Sequence, residues 1–200
     1  MHKLKFKLGI ILLLITVGCQ SEESDVESML EATPYFDLKG VINQQITLLD
    51  RLNPQVEITA SIGKNTETET MQKDSAAWAE ALQLYVDADL NKPVLRGQYT
   101  ITDSTLEEEN LQAKIYRAKN EKEAEIPYMK VVYKDSTSNP CYVETLFREE
   151  NLLYSTYRSM SLHFDQLQGN LRLTEYETQG RQKMVFKDSV FYSTRGLLQY

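Results

Sequence analysis

Hydrophobic positions along this chain change period near residue 93, and the two halves predict different elements. Leu38, Val41, Ile42, Leu49 and Leu52, with Gln45 among them, fall on one face at helical spacing. Thr33-Pro34 offers an N-cap followed by proline at the first helical position, and Pro54 forces the exit. Val56, Ile58, Ala60 and Ile62 then alternate with polar residues, Gly63-Lys64-Asn65 turns, and residues 66–71 return, which predicts a hairpin. A second helix is predicted from Asp74 or Ser75, with Trp78, Leu82 and Tyr85 on one side.

Beyond Pro93 the pattern becomes that of strands. They are predicted over residues 98–102, 111–118, 126–134, 140–148, 152–164, 170–178 and 182–192, with turn clusters at 135–139, 149–151, 168–170 and 180–181. β-Branched and aromatic residues suit half-buried pleated surfaces, and nine of the twelve tyrosines lie beyond residue 110. Leu152, Tyr154, Thr156, Met160, Leu162 and Phe164 alternate with Ser155, Tyr157, Ser159 and Ser161, so one face is expected in the core and the other in water. The predicted architecture is α+β. Two N-terminal helices pack on a curved, half-barrel-like antiparallel β-meander of about eight or nine strands.

The first 33 residues follow neither pattern. Three lysines within residues 1–7 precede an apolar run from Leu8 to Val17, and Gly18 stands against Cys19. A basic start, an apolar run of roughly ten residues and a small residue before a cysteine make a leader. The run is too short to span a bilayer, which takes about 20 apolar residues. Ile15-Thr16-Val17-Gly18-Cys19 resembles the lipobox of type II (lipoprotein) signal peptides, with Thr16 departing from the usual pattern. The resemblance implies removal of residues 1–18, lipidation of Cys19 and attachment to the membrane through it. Several acyl chains on one residue anchor far more firmly than one.

Residues 20–33, QSEESDVESMLEAT, carry five acids, no base and no periodic apolar face, and with Cys19 are expected to form an acidic tether at 19–33. Residues 34–200 are then a single domain. The cluster Ser21-Glu22-Glu23-Ser24-Asp25 resembles the acidic export signal of some Bacteroidota lipoproteins, and the whole chain resembles envelope lipoproteins of that group. The resemblance implies a lipid-anchored place in the cell envelope, at the outer membrane, facing either the periplasm or the cell surface.

Charge narrows the partners. The chain has 22 Lys and Arg against 29 Asp and Glu, and loss of residues 1–18 leaves 19 against 29, a formal charge of −10. Such a surface repels nucleic acid. No basic stripe or aromatic-plus-Arg platform is legible along the sequence, so no nucleic-acid partner is expected.

Candidate chemistry is thin. His163 is the only histidine after residue 2, no G-x-S-x-G elbow is present, and strand parity places Cys141 with Val143 on the apolar face, opposite His163. Cys141 is expected to be a small buried hydrophobe. Asp87-Ala88-Asp89-Leu90-Asn91 copies the opening of a calcium loop, but Lys92 and Gln98 stand where its Gly and Glu belong. Glu175 with Glu177, and Glu67 with Glu69, share strand faces as a glycosidase pair would, and equally as a charged stripe would. No catalytic residue, metal site or cofactor is therefore expected. Tyr116, Tyr142, Tyr157 and Tyr176 are expected to face solvent, where they could bind an apolar ligand, a glycan or an envelope protein. The expected role is a non-enzymatic binding module. The alternatives are a small envelope hydrolase with a carboxylate-based site and a structural or assembly partner of an outer-membrane complex.

Overall fold

Chain order runs α1 (Leu38–Leu52), β1 (Gln55–Ile62), β2 (Asn65–Met71), α2 (Ser75–Asp87), β3 (Tyr99–Leu106), β4 (Leu111–Ala118), β5 (Tyr128–Lys134), β6 (Pro140–Glu150), β7 (Tyr154–Leu167), β8 (Asn170–Met184) and β9 (Val190–Gln199). The computed structural model describes residues 35–106, 111–134 and 139–200. The basic leader, Cys19 and the acidic tether lie outside the described residues.

All nine strands belong to one antiparallel sheet in the order β2-β1-β9-β8-β7-β6-β5-β4-β3, and the sheet is not closed. From β3 to β9 it is a meander. The β1–β2 hairpin is added beside β9, joining the first strand of the chain to the last. Edge strand β2, Asn-Thr-Glu-Thr-Glu-Thr-Met, is exposed along nearly its whole length. Its charges discourage pairing with another chain.

Both helices pack on one face of the sheet. Leu38, Ile42 and Leu49 from α1 and Trp78, Leu82 and Tyr85 from α2 are buried with Met129, Val131, Val143, Met160, Leu162 and Tyr176 of the sheet. Tyr85 pins α2 to β8, its hydroxyl donating to the Glu177 carbonyl at 2.7 Å. Gln45 pins α1 to the same strand. Pairing of β8 with β9 begins only at Glu175, so Leu171 and Leu173 have no strand on that side. The Gln45 amide nitrogen donates to the Leu171 carbonyl at 3.1 Å, and the Leu173 N–H donates to the Gln45 carbonyl oxygen at 2.8 Å. One side chain thus stands in for a missing strand, which explains a glutamine in the apolar stripe.

Four sequence expectations are corrected. First, α1 begins at Leu38, capped by the Asp37 carboxylate accepting from the Gly40 N–H, and not at Thr33-Pro34, which lie outside the described residues. Tyr35 and Phe36 cannot extend the helix because their carbonyls accept from the Asn91 side chain. Second, Gly180-Arg181 is no turn: β8 runs through it to Met184, and the chain reverses over residues 185–189. A Cβ at Gly180 would lie 2.6 Å from the Tyr192 ring and 2.7 Å from the Tyr157 carbonyl, so glycine marks a close approach in mid-strand. Third, Leu152 and Leu153 precede β7 at the β6–β7 turn and are 93% and 71% exposed. Fourth, Tyr116 and Tyr176 face the core. Tyr116 pairs with Met129 on the helix-packed face. One extra residue in β8 at the irregularity opposite His163 and Phe164 reverses parity there and carries Tyr176 inward.

A groove on the sheet face opposite the helices

Strand register sorts the face away from the helices into rows. One row, across β6 to β9, reads Arg148, Tyr157, Arg181, Phe191. The next row runs from β4 to β1 and reads Arg117, Tyr128, Leu146, Ser159, Gln179, Ser193, Ser61. Sequence spacing hides these rows, because their members come from seven strands. Together with Phe147 and Tyr192, which register places on the helix-packed side, they line an open groove of about 970 Å³, with Lys122 and Glu121 from the β4–β5 connection also in its lining.

Three of the groove's arginines rest on rings. The Arg117 guanidinium lies 5.0 Å from the centre of the Tyr128 ring, and that of Arg181 lies 5.0 Å from the Tyr157 ring. Arg158, which register places on the helix-packed side, sits 4.7 Å from the Phe147 ring and donates through Nε to the Tyr192 hydroxyl at 3.1 Å. The ring contacts attract a guanidinium through its charge. Arg117 approaches Glu121 at 3.9 Å with both side chains more than half exposed, a pair of little strength. Among the described residues no carboxylate pairs with Arg148, Arg181 or Lys122. The aromatic-plus-Arg platform that the sequence does not show is therefore present on the folded sheet.

Along the strands from the groove, the same face changes character. Glu175 accepts from Arg195 through both carboxylate oxygens, at 2.7 and 2.9 Å. That pairing holds the Glu175 carboxyl below the usual carboxylate range. A carboxylate so held is charged at neutral pH and has no proton to give. Glu177 lies two residues along the same face, paired with Ser161. His163 is exposed and lies beside Tyr142, the two rings tilted to each other with centres 4.7 Å apart.

Tyr142 pairs with His163, whereas Cys141 falls where the β5–β6 register shifts and is the extra residue there, its thiol lying 3.4 Å from the Val132 carbonyl. Cys141 is half-buried and not fully enclosed. Glu67 and Glu69 line a shallow hollow of about 460 Å³ with Ile58, Ala60 and Met71, and both stand exposed on the edge strand.

The calcium-like series is a structural clamp. Asp89 is buried, and its carboxylate accepts from the Lys39 and Asn91 backbone N–H groups at 3.3 and 3.0 Å. The Asn91 side chain accepts from the Tyr35 N–H at 3.1 Å and donates to the Phe36 carbonyl at 3.1 Å. These bonds tie the segment after α2 to the first turn of α1, where a carboxylate meets free N–H groups. Among the described residues no group of three or more His, Cys, Asp or Glu could hold a metal ion.

The chain matches no known protein family and no curated protein. Among the described residues no helix is long and apolar enough to cross a membrane.

The end of the sheet that carries the groove also exposes apolar side chains. Leu152 and Leu153 at the β6–β7 turn lie beside Val185 and Phe186 at the β8–β9 turn, the Val185 N–H donating to the Leu153 carbonyl. Phe186 is fully exposed.

Proposed function

We propose that this protein is a lipid-anchored lipoprotein of the cell envelope, at the outer membrane, that acts as a non-enzymatic binding module through the groove. The groove carries this reading: ring and apolar side chains, a row of neutral hydroxyl and amide groups, several cations and a single carboxylate. A carboxylate hydrolase needs two acids flanking a bond, and the groove's lining offers only Glu121. The half-barrel description of the sheet belongs to the same proposal, since a sheet bent about its helices leaves its other face free for ligand. Attachment rests on Ile15-Thr16-Val17-Gly18-Cys19 following the basic and apolar leader. The charge left on the chain after residue 18 speaks against a nucleic-acid partner.

Two measurements test the reading. Cys19→Ser should abolish incorporation of a fatty-acid analogue and leave unprocessed precursor; unchanged labelling removes the anchor from the proposal. The full chain should then be incubated with a panel of oligosaccharides and a polar lipid extract. Retention of one component unaltered, lost in Tyr157→Ala, supports a binder, whereas release of cleaved product shows an enzyme.

A second reading draws on the exposed turns. Leu152, Leu153 and Phe186 form an apolar patch of the kind that marks an interaction site. It favours the structural or assembly role, in which these turns meet another envelope protein. Loss of a crosslinked partner in cells on Phe186→Ser, with the groove unchanged, would support it.

A further inference from the structure

We infer that the groove takes an acidic polysaccharide chain laid across the strands, its carboxylates meeting Arg148 and Arg181. The inference rests on the groove being a binding site and names what it binds.

Three observations carry it. First, the sign of charge is local: in a chain of 29 acids against 22 bases, the groove gathers arginines and one glutamate. A cluster of one sign along a cleft focuses the field and draws opposite charge. Arg181 is seated on the Tyr157 ring and makes no ion pair among the described residues, so its N–H donors remain available to a carboxylate in two-pronged fashion.

Second, the middle of the second row is polar and neutral, although rings and Leu146 make most of the groove's surface apolar. Ser159, Gln179 and Ser193 lie side by side on β7, β8 and β9, and their side chains hydrogen-bond to no side chain among the described residues. An acyl chain over that row would strip water from hydroxyl and amide groups and return no hydrogen bonds, an unfavourable exchange. Sugar hydroxyls both donate and accept, and would satisfy the row.

Third, the spacing repeats. Neighbouring strands are about 4.8 Å apart, so side chains two strands apart stand about 10 Å from each other. Arg148 on β6 and Arg181 on β8 are such a pair, with Tyr157 of β7 between them. A strand step is comparable to the length of one sugar ring in an extended chain. A polymer crossing the strands would set a sugar against the exposed edge of Tyr157, whose face Arg181 covers, and carboxylates on the sugars to either side at the two arginines. Phe191 continues the row as a second surface for a ring.

The experiment uses the full chain in non-ionic detergent, with hexagalacturonate as the acidic probe, cellohexaose as the neutral one, and phosphatidylglycerol vesicles and oligo(dT) as other anions. Hexagalacturonate should bind, and binding should weaken as salt rises. Arg148→Gln with Arg181→Gln should weaken it at least about tenfold, the effect of losing one charged hydrogen bond or more. Tyr157→Ala should also weaken it, with the circular dichroism of each variant unchanged. Equal binding of cellohexaose, indifferent to the arginine changes but lost in Tyr157→Ala, overturns the acidic class and leaves the groove as a site. Preferential binding of vesicles or oligo(dT) overturns the polysaccharide. Absence of hexagalacturonate binding at millimolar probe overturns the inference. Binding of any probe that survives Tyr157→Ala and both arginine changes removes the groove itself.

Discussion

Replacing Gln45 by leucine sets two effects of similar size against each other. The side chain is 3% exposed and sits among core residues of α1, so leucine gains the burial of an apolar side chain, worth roughly 1.5–3 kcal/mol when complete. Against that gain, the Leu173 N–H and the Leu171 carbonyl each lose their partner at a place where β9 no longer pairs with β8. A buried polar group left unmade costs about 1–3 kcal/mol, and there are two. The losses outweigh the gain, and we expect net destabilisation of about 1–3 kcal/mol. For a domain near this size each kcal/mol moves the midpoint of melting by about 2–4 °C, so Gln45→Leu should melt roughly 2–12 °C lower. Thermal denaturation by circular dichroism reads this directly, and amide exchange at Leu173 should accelerate. Gln45→Glu separates the two bonds: a carboxylate accepts from Leu173 but cannot donate to Leu171, and the protonated acid can do both. Its deficit should therefore shrink on acidification relative to Gln45→Leu. A leucine variant that melts at or above the unaltered chain would refute the reasoning, because apolar burial would then dominate at this site.

Gly196→Ala should destabilise by about 1–3 kcal/mol, the usual effect of overpacking, because a Cβ there would lie 2.2 Å from Tyr176, whose ring is held edge-on by Trp78. Adding Tyr176→Leu should make the alanine less harmful, and a Gly196→Ala chain of unchanged melting temperature counts against this packing. Burial raises the Tyr99 and Tyr176 hydroxyls to about 12 and Tyr85 still further, against about 10 in the unfolded chain. The fold holds their protons more tightly, so this stability is complete below about pH 10 and is lost as pH rises through 12. Phenolate absorbance should thus rise in two stages, the second together with loss of far-ultraviolet signal. A single stage near pH 10 with the fold intact would contradict their burial.

Local rules made much of the fold legible in the sequence. The helical stripe from Leu38 to Leu49, the Trp78–Leu82–Tyr85 face, the β1–β2 hairpin and most of the later strands follow from period, turn residues and caps that act within a few positions. Glutamine in the α1 stripe was visible as an exception, but its purpose depends on where β9 stops. Parity failed at Tyr176, because one added residue in β8 reverses faces without leaving a local mark. Gly180 read as a breaker, since glycine promotes turns by its own freedom, whereas here it makes room for Tyr192 from the next strand. The groove was beyond reach for the same reason. Arg148, Tyr157, Arg181 and Phe191 are far apart in the chain and become neighbours only through antiparallel register. Composition gives a net charge and no map of it. The sequence by itself determined most of the elements; tertiary structure alone decided which side chains share a face, because register couples residues that no local periodicity relates.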